Sequence, residues 1–184
     1  DGPRSCGYGG MKYDGRWEPV AKDVCEEYKP LRVIEIGCEK GYLLYELKKL
    51  AIDVVGVESS RYARGRQVSY DGIKILSTIP SDDCFDLAIG RGIVYTENLA
   101  GAMNAIRTLE KISDKAFITL ASYDTEEELR LFRKWTLLGT TILKKDEWIE
   151  VMKHCGYTGD YWFVNAKNLK LREPVYVEVI VNSK

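Results

Sequence analysis

The sequence predicts an α/β protein with a Rossmann-like, doubly wound sheet, mostly parallel, with an antiparallel C-terminal hairpin strand. Three observations carry this expectation. Short apolar runs at residues 31–36, 52–57, 85–89 and 116–121 have the nearly unbroken pattern of strands buried on both faces. Segments with apolar residues at helical spacing alternate with them. A turn carrying Gly37 and Gly41 joins the first strand to the helix that follows.

Residues 1–16 hold five glycines and little apolar periodicity, so a flexible arm or lid is expected there, with residues 17–184 forming a single domain. Val20, Val24 and Tyr28 recur at four-residue spacing and Pro19 falls in a first turn, which predicts a helix over 17–28 closed by Pro30. After the strand at 31–36, Leu43, Leu44, Leu47 and Leu50 mark a helix over 42–50, and a strand follows at 52–57. A short helix is expected at 61–69, strands at 73–76 and 85–89, a helix at 99–112 and a strand at 116–121. Thr125 followed by Glu126, Glu127 and Glu128 has the form of a capped, dipole-matched helix start. A helix at 146–155 stops at Gly156. Strands at 161–165 and 175–182, with only polar residues between them, are expected to form an antiparallel pair at the sheet edge.

Composition narrows the function. With 27 basic and 28 acidic residues the net charge is -1, which encodes no general attraction to nucleic acid or to an anionic membrane. No apolar run approaches the roughly 20 residues of a membrane span. Five scattered cysteines with no CxxC pair fit neither a disulfide framework nor a zinc site. The expectation is a cytoplasmic protein with reduced thiols and no metal, a monomer or homodimer. Asp1 in the first position is expected to reflect processing or trimming.

The informative stretch is Val33-Ile-Glu-Ile-Gly-Cys-Glu-Lys-Gly41, between a buried strand and a helix. Glycines there let the backbone turn tightly and let a ligand approach the main chain. The second strand ends in Glu58 and Ser59, about 20 residues after the turn, where a carboxylate can grip the hydroxyl pair of a ribose. A dinucleotide fingerprint would need a third, central glycine, but Glu39 stands in the middle of this turn and would repel a pyrophosphate. Glu35, within the strand, suits the amino group of an amino-acid-like tail. Together these residues point to S-adenosylmethionine.

At these residues the sequence resembles the class I S-adenosylmethionine-dependent methyltransferases, over roughly 17–182. The carriers are 33–41, Val54-Val-Gly-Val-Glu58, Cys84-Phe-Asp-Leu-Ala-Ile89 and the closing strands. The blocks at 8–17 and 156–161 are similar to segments of a small bacterial, type-11-like subgroup, many of unassigned substrate. The resemblance implies that Glu35, Gly37, Cys38 and Gly41 face the methionine moiety and that Glu58, with Ser59 beside it, holds the ribose. Glu39 departs from the usual small residue. Residues 77–80 stand where the family usually has an acid near adenine, so Ile79 is expected to pack on the base.

Methyl transfer is an in-line displacement that requires alignment of the nucleophile and, for a hydroxyl, uptake of one proton. In an open parallel sheet, ligands sit beyond the carboxyl ends of the strands. Arg91 and Tyr95, after the fourth strand, are therefore the first catalytic candidates, Tyr95 as proton acceptor or as aromatic wall. Asp124, after the fifth strand, is a third candidate, with a helix cap as its alternative role. Tyr13, Arg16 and Trp17 are expected to close a lid over the cofactor. Residues 139–143 and 156–161, with Tyr123, Tyr157 and Tyr161, are expected at the acceptor end. His154, at a helix end, and Trp135, Trp148 and Trp162 are expected to be structural. The preferred function is methylation of a small polar acceptor, a hydroxyl of a sugar-like or secondary metabolite. The alternative is a methyltransferase-like fold that has lost catalysis and serves as a binding or regulatory module.

Overall fold

In β1 (Arg32–Ile36) four consecutive residues, Val33 to Ile36, are buried, as a strand covered on both faces requires. A computed structural model describes residues 12–81, 84–136 and 138–172. Around β1 the chain builds α1 (Trp17–Tyr28), α2 (Tyr42–Lys49), β2 (Asp53–Val57), α3 (Arg61–Arg64), β3 (Lys74–Leu76), β4 (Leu87–Gly90), α4 (Ile93–Thr96), α5 (Leu99–Ile112), β5 (Ala116–Ala121), α6 (Glu126–Trp135), α7 (Lys145–Cys155) and β6 (Asp160–Val164). The strands form one sheet in the order β3-β2-β1-β4-β5-β6, and every described pairing is parallel. The order reverses between β1 and β4, which opens a crevice at their carboxyl ends.

Alternation along β1 divides the core into two layers. Val33 packs with Ala21, Leu43, Leu44, Leu47 and Val54 under α1 and α2. Ile34 and Ile36 pack on the other side with Ile106, Leu109, Phe132, Trp148 and Met152. The fully buried Trp148 satisfies its indole N–H on the Ala121 carbonyl at 2.7 Å. Asn98 caps α5 by accepting from the Gly101 N–H at 2.9 Å, and Thr125 caps α6 by accepting from the Glu128 N–H at 3.2 Å. Gly156, at φ +70°, ends α7.

One expectation is corrected and two features are added. The helix expected at 61–69 ends at Arg64, because the chain is drawn back to the glycine turn, where the Val68 N–H meets the Lys40 carbonyl at 2.8 Å. An unanticipated turn of helix, α4, follows β4 through Gly92 at φ +74°. The strand expected at 161–165 appears as β6 and pairs parallel to β5, Phe117 opposite Asp160, after a crossover through α6 and α7. Its proposed antiparallel partner at 175–182 lies outside the described residues. No helix among the described residues is long and apolar enough to cross a membrane.

Candidate active site

The Gly37 and Cys38 N–H groups both donate to the Val57 carbonyl, at 2.8 and 3.1 Å, so the turn after β1 is tied to the tip of β2. Gly37 takes φ +73°, and a Cβ there would stand 3.2 Å from Cβ of Ile93. The next left-handed residue is Glu39, at φ +56°. Its N–H donates to Oε2 of Glu58 at 2.9 Å, while the Ser60 N–H donates to Oε1 at 2.7 Å. Two backbone donors therefore fix the Glu58 carboxylate at the mouth of a cleft of about 490 Å³.

This cleft lies beyond the carboxyl ends of β1, β2 and β4. Gly37, Glu39, Lys40, Glu58, Ser59 and Ser77 line one part of it; Arg91, Ile93, Tyr95, Thr96, Glu97 and Leu138 line another. Arg91 reaches beneath it to Glu35, with Nε at 2.7 Å and Nη2 at 2.6 Å from the same oxygen, Oε1. The other face of the guanidinium lies 3.8 Å from the centroid of the Trp17 ring. Glu35 is fully buried and its Oε2 has no hydrogen-bond partner among the described residues. Burial pushes its carboxyl up to about 7, with Glu39 and Glu58 adding to the rise and Arg91 opposing it. Burial likewise raises the Glu39 carboxyl, against the pull of Arg91.

Of the residues singled out in the sequence, Gly37, Glu58, Ser59, Arg91 and Tyr95 come together in the cleft, and Glu35 lies just under it. Tyr95 is buried edge-on against Phe132, and its carbonyl accepts from the Thr140 and Thr141 N–H groups, which staples that loop to α4. The other candidates stand elsewhere. Cys38 points into the core against Gly56, and burial raises its thiol. Gly41 serves the turn, at φ +78° over the Ile75 side chain. Ile79 packs on the core, and Ser77 lines the cleft in its place. Tyr13 bonds Glu46 and stacks edge-on with Tyr45 on α2. Asp124 is exposed and paired with Lys145 at 2.8 Å, while Thr125 makes the helix cap.

The segment at 156–161 cannot contact an acceptor in this cleft. It leads into β6, and because β6 is parallel that segment lies at the amino ends of the strands, where Asp160 accepts from the Tyr28 hydroxyl at 2.7 Å. Lys40, Ser60 and Tyr62 were not anticipated as cleft residues, although each lies in the glycine turn or within five residues of a predicted strand tip. Glu97 and Leu138 carry no such local signal. No group of three or more His, Cys, Asp or Glu residues among the described ones is placed to hold a metal ion.

No protein-family profile matches the sequence, and no curated protein matches it. Solved structures do. Magnesium protoporphyrin IX methyltransferase (ChlM) from Synechocystis PCC 6803, with bound SAH, matches with a TM-score of 0.61 and 16% identity, over 81% of this chain and 80% of that one. The methyltransferase domain of bacterial CtHen1 matches at 0.59 and 14%, over 78% and 86% of the two chains. With the CcbJ methyltransferase from Streptomyces caelestis the TM-score is 0.49 and the identity 13%, over 57% of this chain and 47% of that one, so this chain spans about half the length of some methyltransferases it matches. The chain has the class I S-adenosylmethionine-dependent methyltransferase fold.

Proposed function

We propose that the protein is an S-adenosylmethionine-dependent methyltransferase acting on a small polar acceptor, a hydroxyl of a sugar-like or secondary metabolite. The observation that carries this is the pair of carboxylates at adjacent strand tips. Glu58 is held by two backbone N–H groups toward the cleft, and Glu35 is buried beneath it with one oxygen unpartnered. An acceptor-only pair of this kind suits a ligand with a diol at one end and an ammonium at the other. ChlM, with a similar fold, was solved with bound SAH.

When bound, the cofactor supplies a methyl group on a sulfonium, open to in-line displacement. The chain's own residues do the rest. Glu58 accepts the ribose hydroxyls, Glu35 accepts from the ammonium through Oε2, and Gly37 leaves the main chain open for close approach. Arg91 holds Glu35 in place through Oε1 and opposes the rise of its carboxyl. Tyr95, in its phenolate form, takes up the proton of the acceptor hydroxyl and becomes the phenol, a role that requires a depressed phenol pKa, while Thr96, Glu97 and Leu138 shape the acceptor end. Aromatic and small polar lining fits a compact ring better than a folded macromolecule.

Two measurements test this reading. Calorimetry should show S-adenosylmethionine binding that weakens by tenfold or more in Glu58→Ala, since a charge-assisted acceptor is worth about 1.5–3 kcal/mol. Transfer of a labelled methyl group, screened over sugars, amines, peptides and tRNA, should find a small hydroxylated acceptor. Unchanged affinity in the variant removes the ribose assignment, and efficient labelling of intact tRNA or protein removes the small acceptor.

A further inference from the structure

We propose that Glu39 is a charge selector, a carboxylate presented into the cleft so that the site holds the cationic sulfonium cofactor in preference to the neutral thioether that remains after transfer. The inference rests on the cofactor reading above and adds a residue-specific preference to it.

Glu39 occupies a position whose backbone favours glycine, φ +56°, so the turn itself gains nothing from a side chain there. The side chain is half-buried and lines the cleft. No hydrogen bond or ion pair reaches its carboxylate among the described residues, whereas the neighbouring charges are engaged. Arg91 is committed to Glu35 through two bonds, and both oxygens of Glu58 accept backbone N–H groups. Lys40, the next residue, also lines the cleft, so the charged groups around Glu39 are the carboxylates of Glu35 and Glu58 and the cations of Arg91 and Lys40.

Position then specifies the target. The Glu39 N–H lies 2.9 Å from Oε2 of Glu58, so this residue flanks the ribose-binding carboxylate, and both it and Arg91 line the cleft. The sulfur of S-adenosylmethionine is separated from the ribose ring by a single methylene. A half-buried carboxylate beside the ribose therefore acts on a charge at that sulfur, in a medium that screens it less than water does. In transfer the C–S bond breaks with its electron pair returning to sulfur, the methyl carbon bonds to the acceptor oxygen, and the hydroxyl proton passes to the base. The positive charge on sulfur disappears. An unpartnered carboxylate that attracted the cofactor has nothing to attract in the product, which favours exchange.

The test is calorimetry on the full chain and on Glu39→Gln and Glu39→Gly, each with S-adenosylmethionine and with S-adenosylhomocysteine, at fixed salt. Wild type should prefer the sulfonium compound by about tenfold, and Glu39→Gln should lose that preference while its affinity for the thioether stays within about twofold. Glu39→Gly, whose backbone suits the turn, should lose the preference equally. A ratio unchanged in Glu39→Gln overturns the proposal. So does a glycine variant that binds both compounds more tightly at the wild-type ratio, since Glu39 would then be an obstruction. Wild type binding neither compound overturns the cofactor reading itself.

Discussion

Arg91 sets Nε and Nη2 on a single oxygen of Glu35, at 2.7 and 2.6 Å, and leaves the second oxygen of that fully buried carboxylate without a hydrogen-bond partner among the described residues. The Trp17 ring closes the other side of the guanidinium at 3.8 Å, so the first residue of α1, the loop after β4 and the tip of β1 meet at one charge pair. A carboxylate fixed in this way cannot rotate to satisfy its free oxygen internally.

Removing the cation should expose the cost of that burial. Arg91→Met leaves an uncompensated carboxylate in the core and is expected to destabilise the fold by about 3 kcal/mol, in the range for breaking a buried pair. Adding Glu35→Gln should restore most of the loss. Urea unfolding of the two single variants and the double variant measures this as a coupling energy, and additive losses would show that the pair does not act as one unit.

Stability should fall as pH rises through neutrality because of Glu35. Its folded-state carboxyl is raised from 4.5 to about 7, so between those values the folded chain holds a proton that the unfolded chain has released. This contribution is fully present below 4.5 and is lost as pH passes through about 7. Glu35→Gln should flatten the stability profile across that window, as followed by urea midpoints at half-unit pH steps. An equally steep profile in the variant would place the titration on another group.

Gly56 faces Glu35 across the β1–β2 ladder, and a Cβ there would stand 2.6 Å from both Sγ of Cys38 and Cδ1 of Leu44. Gly56→Ala should therefore cost about 1–3 kcal/mol by overpacking. Cys38→Ala should recover part of this, since it removes one of the two clashing atoms. Denaturant midpoints of the pair check this, and a neutral Gly56→Ala would mean that the turn after β1 moves freely.

Tyr95→Phe tests the proton acceptor at the acceptor end of the cleft. Turnover should drop by about 100-fold, within the usual range for a general base, while calorimetry finds the cofactor affinity unchanged. Undiminished turnover would make the ring a wall of the pocket, as its packing on Phe132 already equips it to be.

The glycine turn and the carboxylate after β2 were legible because they depend on short-range rules. Gly37 needs a positive φ after a buried strand, and Glu58 falls where a parallel neighbour must end. Cys38 was misplaced, because sequence distance from the turn says nothing about which way a side chain points. Its sulfur fills the space left by the missing side chain of Gly56, two residues before Glu58. Asp124 lost its place in the site to a partner 21 residues away, Lys145, that no local pattern marks.

By itself the sequence determined the alternation of doubly buried strands with amphipathic helices, the turn after the first strand and the acid at the tip of the second. All of these are set by periodicity and by backbone preference within a few residues. Tertiary structure decided the direction of β6 and with it the removal of residues 156–161 from the cleft, since the crossover through α6 and α7 brings the chain back to start β6 from the same end as β5. It also decided that Arg91 finds Glu35 across 56 residues and that Leu138 reaches the acceptor end. Such pairings depend on strand order and register, which arise only when the hydrophobic faces of distant segments are buried against one another.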